Sequence, residues 1–135
     1  MSLNLCVTNM LTELDAFFTT NYTDYPLGTM LIDSQSRNEG AVRDNLSVKS
    51  VTRYSPVMNV YSVSVGLSVE ANRKNANVTY MDELCSTAIQ GIEKFVEQSG
   101  KYNFVDGGHP SYSSSTREEF KWVNEVSFQI YISII

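Results

Sequence analysis

From Phe120 to Ile135, apolar and polar residues alternate almost without a break. Phe120, Trp122, Val126, Phe128, Ile130, Ile132 and Ile134 fall on one face, with Asn124 as the gap. Lys121, Glu125, Ser127, Gln129 and Ser133 fall on the other. A period of two over this length predicts a half-buried antiparallel strand, and at about 3.3 Å per residue it would reach roughly 50 Å. That exceeds the usual strand of roughly five or six residues, which points to a use beyond the domain's own core. A second run behaves alike. Tyr61, Val63, Val65, Leu67, Val69 and Ala71 alternate with Ser62, Ser64, Gly66, Ser68 and Glu70, predicting a long strand over about Val57 to Ala71.

Two other stretches follow three-and-four spacing. Leu3, Cys6, Val7, Met10, Leu11, Leu14, Phe17 and Phe18 predict an amphipathic helix from Leu3 to Thr20, broken by the polar cluster from Asn21 to Pro26. Met81, Leu84, Cys85, Ala88, Ile89, Ile92, Phe95 and Val96 predict a second helix, Met81 to Gln98. Thr79 and Asp82 resemble a weak capping box, and Ser99-Gly100 supplies the stop. Shorter strands are expected at Leu27 to Asp33, at Leu46 to Tyr54 on the marks Leu46, Val48 and Val51, and at Tyr102 to Val105. Ser34 to Asn45 and Asp106 to Thr116 read as long polar loops. One apolar face per strand and one stripe per helix predict the α+β class: a single domain, 1–135, with an antiparallel β-sheet and two α-helices packed on one face.

Composition adds limits. Hydrophobic content of 42% and charged content of 19% are those of a compact globular chain. A net charge of −5 argues against a reader of nucleic acid, which needs a basic face, yet suits a wall past which DNA slides without sticking. No stretch approaches a membrane span and no basic-then-apolar leader opens the chain, so a cytoplasmic product with no membrane contact is expected. Cys6 and Cys85 both lie on helical stripes and are expected as buried free thiols.

Candidate chemistry is sparse. The single histidine, His109, sits in Gly-Gly-His-Pro, which reads as a turn, and two cysteines on separate helices make no zinc pattern. Asp82 and Glu83 are accounted for by the helix dipole, and no lysine and Ser/Thr pair follows the glycines as a phosphate loop requires. Neither an enzyme, a cofactor nor a bound metal is expected. The strand faces say more. Ser62, Ser64, Gly66 and Ser68 on one strand, with Ser127, Gln129 and Ser133 on another, form a small-residue surface lacking the charges that keep sheets apart. Phe17, Phe18, Phe95, Trp122 and Phe128 are expected in the core. Tyr22, Tyr25, Tyr54, Tyr80, Tyr102, Tyr112 and Tyr131 fall at ends, in loops or on the opposite face, where tyrosine serves contacts or a wetted rim.

The order carried by Leu3 to Thr20, Val57 to Ala71, Met81 to Gln98 and Phe120 to Ile135 resembles the tail terminator proteins of long-tailed bacteriophages, over nearly the whole chain and without a diagnostic motif. The resemblance implies a homohexameric ring that caps the tail tube protein, halts tube polymerisation and offers its other side to a head-tail connector or neck protein. DNA only passes through the lumen. Such a subunit would assemble in the host cytoplasm and end in the virion tail or neck. The interface candidates are Arg37, Arg43, Tyr54, Tyr112, Arg117 and Tyr131, with the two polar loops ordering against tube or neck. The alternatives are another neck or head-completion ring protein, or a dimeric α+β module that binds a small ligand.

Overall fold

The computed structural model describes residues 2–22, 31–32, 42–55, 59–72, 78–113, 116–117 and 121–134. Helix α1, Leu3–Asn21, starts where expected because Ser2 is extended and its Oγ accepts from Leu5 N at 3.1 Å. Its stripe Val7, Met10, Leu11, Leu14 and Phe18 is buried. Three strands follow: β1 (Leu31–Ile32), β2 (Val42–Ser55) and β3 (Val60–Asn72). Helix α2 spans Val78–Ser99. Behind it come β4 (Asn103–Phe104), β5 (Ser111–Tyr112), β6 (Thr116–Arg117) and β7 (Lys121–Ser133).

The long strands form the centre of the sheet. β3 pairs antiparallel with β7 from Val60↔Ser133 to Asn72↔Lys121, and β2 pairs antiparallel with the other edge of β3. Val63, Val65, Leu67 and Val69 therefore share a face with Ile130, Phe128, Val126 and Asn124. All eight are buried, beneath the stripe of α1 and beneath Met81, Leu84, Cys85, Ala88, Ile92, Phe95 and Val96 of α2. Both helices thus lie on one face of the sheet, as the α+β pattern requires. β1 departs from it, running parallel to β2 over Asn45 and Leu46.

Several expected boundaries move. β2 begins at Val42, so residues 42–45 are strand rather than loop, while 34–41 lie outside the described residues. α2 begins at Val78, which places Thr79 inside the first turn instead of at a cap and Asp82 and Glu83 just beyond that turn. Its end is as expected: Gly100 adopts φ +72°, and Ser99 Oγ accepts from Lys101 N at 3.3 Å and Tyr102 N at 3.1 Å. The uneven marks Leu46, Val48 and Val51 have a cause. The register slips between Val48 and Ser50, a bulge that returns Val51 to the core side opposite Val63, although Val51 remains 41% exposed. Cys6 and Cys85 are free thiols, the first half-buried and the second buried.

Two details set the helix layer. At Gly91 of α2 the Phe18 ring leaves no room for a side chain: a Cβ there would stand 2.3 Å from that ring, which is itself buried. Asn124, the gap in the β7 pattern, is buried. Its Nδ2 donates to Cys85 Sγ at 3.3 Å, while its Oδ1 has no hydrogen-bond partner.

Gly91→Ala gains about 1 kcal/mol of helix propensity but forces Phe18 out of a filled site. A net loss of about 1–2 kcal/mol is expected in urea unfolding, with partial recovery in the double variant with Phe18→Leu. Asn124→Leu removes an unpaired buried oxygen and should raise stability by about 1 kcal/mol in the same measurement.

Candidate assembly surfaces

The face of the sheet away from the helices is uncovered by any described element. β3 presents Ser62, Ser64, Gly66 and Ser68 there, opposite Tyr131, Gln129, Ser127 and Glu125 of β7. Its central charge is compensated, since Lys49 Nζ on β2 lies 3.5 Å from Glu125 Oε2 on β7. That side chain crosses β3 over Gly66, where a Cβ would stand 2.5 Å from Lys49 Cε. Glycine is needed for this close approach. Both charged groups are nearly half exposed, so the pair adds at most about 1 kcal/mol. Its main effect is to offset the two charges at the centre of the face.

At one end of this face, the rings of Tyr54 and Tyr131 lie 4.7 Å apart. Tyr54 is 61% exposed. Lost solvation first, and then the hydrogen bond with Tyr54, hold the Tyr131 hydroxyl above the ordinary phenol range. The structure therefore joins two residues that sequence spacing leaves 77 positions apart.

Both edges of the sheet are blunted. Among the described residues, β1 covers β2 at Asn45 and Leu46. The rest of that edge carries register shifts around Lys49 and Tyr54 and the cations Lys49 and Arg53, features that discourage strand addition. At the other edge the expected loop Asp106 to Thr116 is corrected. β4 pairs with β7 at Tyr131 and Ile130, β5 at Ser127 and Val126, and β6 at Val123 and Trp122. Between β4 and β5, Val105 N donates to Gln129 O at 3.0 Å and Gln129 N donates to Gly108 O at 2.8 Å. Residues 103–113 and 116–117 thus follow β7 as a broken edge strand. Its outer side is interrupted by the turn at Gly107, φ +77°, and by Pro110, which has no N–H.

The remaining candidates separate. Tyr112 is 36% exposed on the broken edge, paired with Val126. The backbone of Arg43 pairs with Glu70 and that of Arg117 with Trp122, while both side chains lie outside the described residues, as does Arg37 altogether. Tyr102, expected at a contact or rim, is buried. His109 lies against Phe104 with ring centroids 4.8 Å apart, in the expected turn.

A second surface feature escapes sequence reasoning. An open pocket of about 400 Å³ lies between the C-terminal halves of α1 and α2. Phe17 and Phe95 line it, with ring centroids 5.8 Å apart, and Tyr102 stacks on Phe95 at 5.7 Å. Glu13 holds one end of the pocket closed: its carboxylate accepts from Lys101 Nζ at 2.8 Å and from the Tyr102 hydroxyl at 3.0 Å. Burial first, and then this bond to a carboxylate, push the Tyr102 phenol well above its ordinary range. Glu13 and Lys101 are 88 positions apart, a distance at which no spacing rule speaks.

Among the described residues, no three His, Cys, Asp or Glu side chains gather as a metal set would. No described helix is long and apolar enough to cross a membrane, which says nothing of a membrane barrel. No family model and no curated protein matches the chain. Among solved structures 25 chains match. One aligns with TM-score 0.66 over 100% of this chain and 97% of its own length, at 12% identity. At that identity the likeness shows the fold alone.

Tyr102→Phe should lower stability at pH 7 by about 1–2 kcal/mol through the lost bond to Glu13. The folded state holds the Tyr102 proton more tightly than the unfolded chain, whose value is 10.0. Stabilisation is therefore complete below that pH and lost as pH rises through and above it. The gap between wild type and Tyr102→Phe should narrow when urea unfolding is repeated above pH 10.

Proposed function

We propose that this chain is the subunit of a phage tail terminator ring. It caps the end of the tail tube, stops addition of further tube protein and presents its far side to the head-tail connector or neck. The observation that carries this reading is a pair of unlike exposed surfaces on opposite faces of one sheet: a strand face of small residues ending in Tyr54 and Tyr131, and a helical face with an aromatic-lined pocket. Closed rings use two different, complementary patches per subunit, whereas a twofold dimer uses one patch twice. Blunted edges direct association to these faces and discourage open-ended sheet growth.

The net charge of −5 supports the same reading, because a lumen of like sign lets DNA pass without adhesion. The role is steric and adhesive rather than catalytic, and needs no cofactor. Subunits assemble into a homohexamer in the host cytoplasm and remain in the virion at the junction of tail and neck. Arg37, Arg43 and Arg117 are candidates for pairing with acidic groups of neighbouring proteins.

The test is purified protein alone and beside polymerising tube protein, by light scattering and negative-stain imaging. A mass of six subunits, rings in projection and tubes of arrested length are expected. A monomer or dimer at high concentration that leaves tube growth unchanged would overturn the reading.

A further inference from the structure

We propose that Tyr54 and Tyr131 form an oxidative modification site, at which a one-electron oxidant joins the two phenols of one chain as dityrosine and staples β2 to β7 across β3. The inference goes beyond the ring reading and does not depend on it.

Three observations carry it. The first is distance. The ring centroids lie 4.7 Å apart with planes inclined at 53°, at the short end of the range for aromatic pairs. The hydroxyls share a hydrogen bond, which brings the phenol ends of the rings together. In a phenoxyl radical the unpaired electron is spread over the oxygen and the ring carbons ortho and para to it. The para carbon carries the side chain, so coupling takes place between ortho carbons, the ones beside the bonded hydroxyls.

The second is access combined with choice of partner. Tyr54 is 61% exposed, so an oxidant reaches it from solvent, and its half-buried neighbour is a second phenol. Tyr102 is buried and stacks on Phe95, while Tyr22 packs on Phe17 and Phe18. Those neighbours have no hydroxyl to oxidise. Tyr112 is exposed but pairs with Val126, five residues or roughly 17 Å back along β7 from Tyr131.

The third is place in the fold. Tyr54 sits in the register shift between Arg53↔Tyr61 and Ser55↔Val60, and a bulge re-aims the side chain it carries. On β3, Ser62 stands opposite Tyr131 and is small enough for the rings to meet across the strand. Beyond Leu46 no described strand pairs with the outer edge of β2. An irregular edge of this kind opens more easily than the centre of a sheet. A covalent bond here links positions 77 apart and restricts the unfolded chain as a disulfide does.

The chemistry balances. Each phenol gives one electron to the oxidant and one proton to water, the two radicals form one C–C bond, and each ring regains aromaticity by moving its ortho hydrogen to oxygen. The chain loses two hydrogens in all.

The experiment exposes the full chain at low concentration to a photogenerated ruthenium(III) complex, with persulfate as the terminal electron acceptor. Expected are dityrosine fluorescence, a denatured monomer lighter by two hydrogens, and a proteolytic fragment that joins Tyr54 to Tyr131. Tyr54→Phe and Tyr131→Phe should each lose most of the fluorescence, whereas Tyr112→Phe should keep it; urea unfolding confirms that all three fold. Oxidised wild type should unfold at higher urea than untreated protein, a shift missing from oxidised Tyr54→Phe. The inference fails if the link joins other tyrosines, forms only between chains, or does not form. A link at Tyr54 and Tyr131 with an unmoved urea midpoint overturns the staple.

Discussion

The antiparallel pairing of β3 with β7 is the constraint from which the rest of the molecule follows. These strands are separated in the chain by α2 and the broken edge strand, yet they match without a register shift from Val60↔Ser133 to Asn72↔Lys121. Slipping one strand by a single residue would turn its apolar set to solvent, so the alternation in both strands fixes the register. Once it is fixed, one side of the sheet is apolar and takes both helices. The other side carries the small residues Ser62, Ser64, Gly66, Ser68 and Ser127, with Gln129, Tyr131 and the pair Lys49–Glu125 among them.

The helical layer answers to that apolar side with little slack. Phe18 lies against the backbone of α2 at Gly91, a residue that weakens an isolated helix but permits this close approach. Asn124 is the exception to an otherwise apolar layer, and its contact with Cys85 ties β7 to α2 at one level. At the far end of the same layer, Glu13, Lys101 and Tyr102 join α1 to the segment after α2 and give the pocket its polar wall.

The bare face owes its character to what the sheet edges prevent. A long strand with a free edge tends to recruit further strands. Here β2 is kinked and carries cations, while β7 is covered by a segment broken by a turn and a proline. The surfaces left open for contact are the faces of the sheet and helix layers. At the centre of the bare face Lys49 reaches Glu125 over Gly66, so these two charges offset each other.

Periodicity alone determined both helices, the two long strands and the side of each that is buried, because a period of 3.6 or 2 records directly which residues leave water. It also determined that the face of Ser62, Ser64 and Ser68 would be small and weakly charged. Asp106 to Thr116 reads as a loop because the pairs that β5 and β6 make with β7 are short and separated, and the sequence there has no period to show them. β2 reads four residues short because Val42 to Asn45 lacks alternation and is held by β3. Tertiary structure alone decided that Tyr54 meets Tyr131, that Tyr102 is buried on Glu13, and that a pocket opens between Phe17 and Phe95. Each of these joins residues distant in the chain, and such contacts exist only after the sheet has brought its elements together.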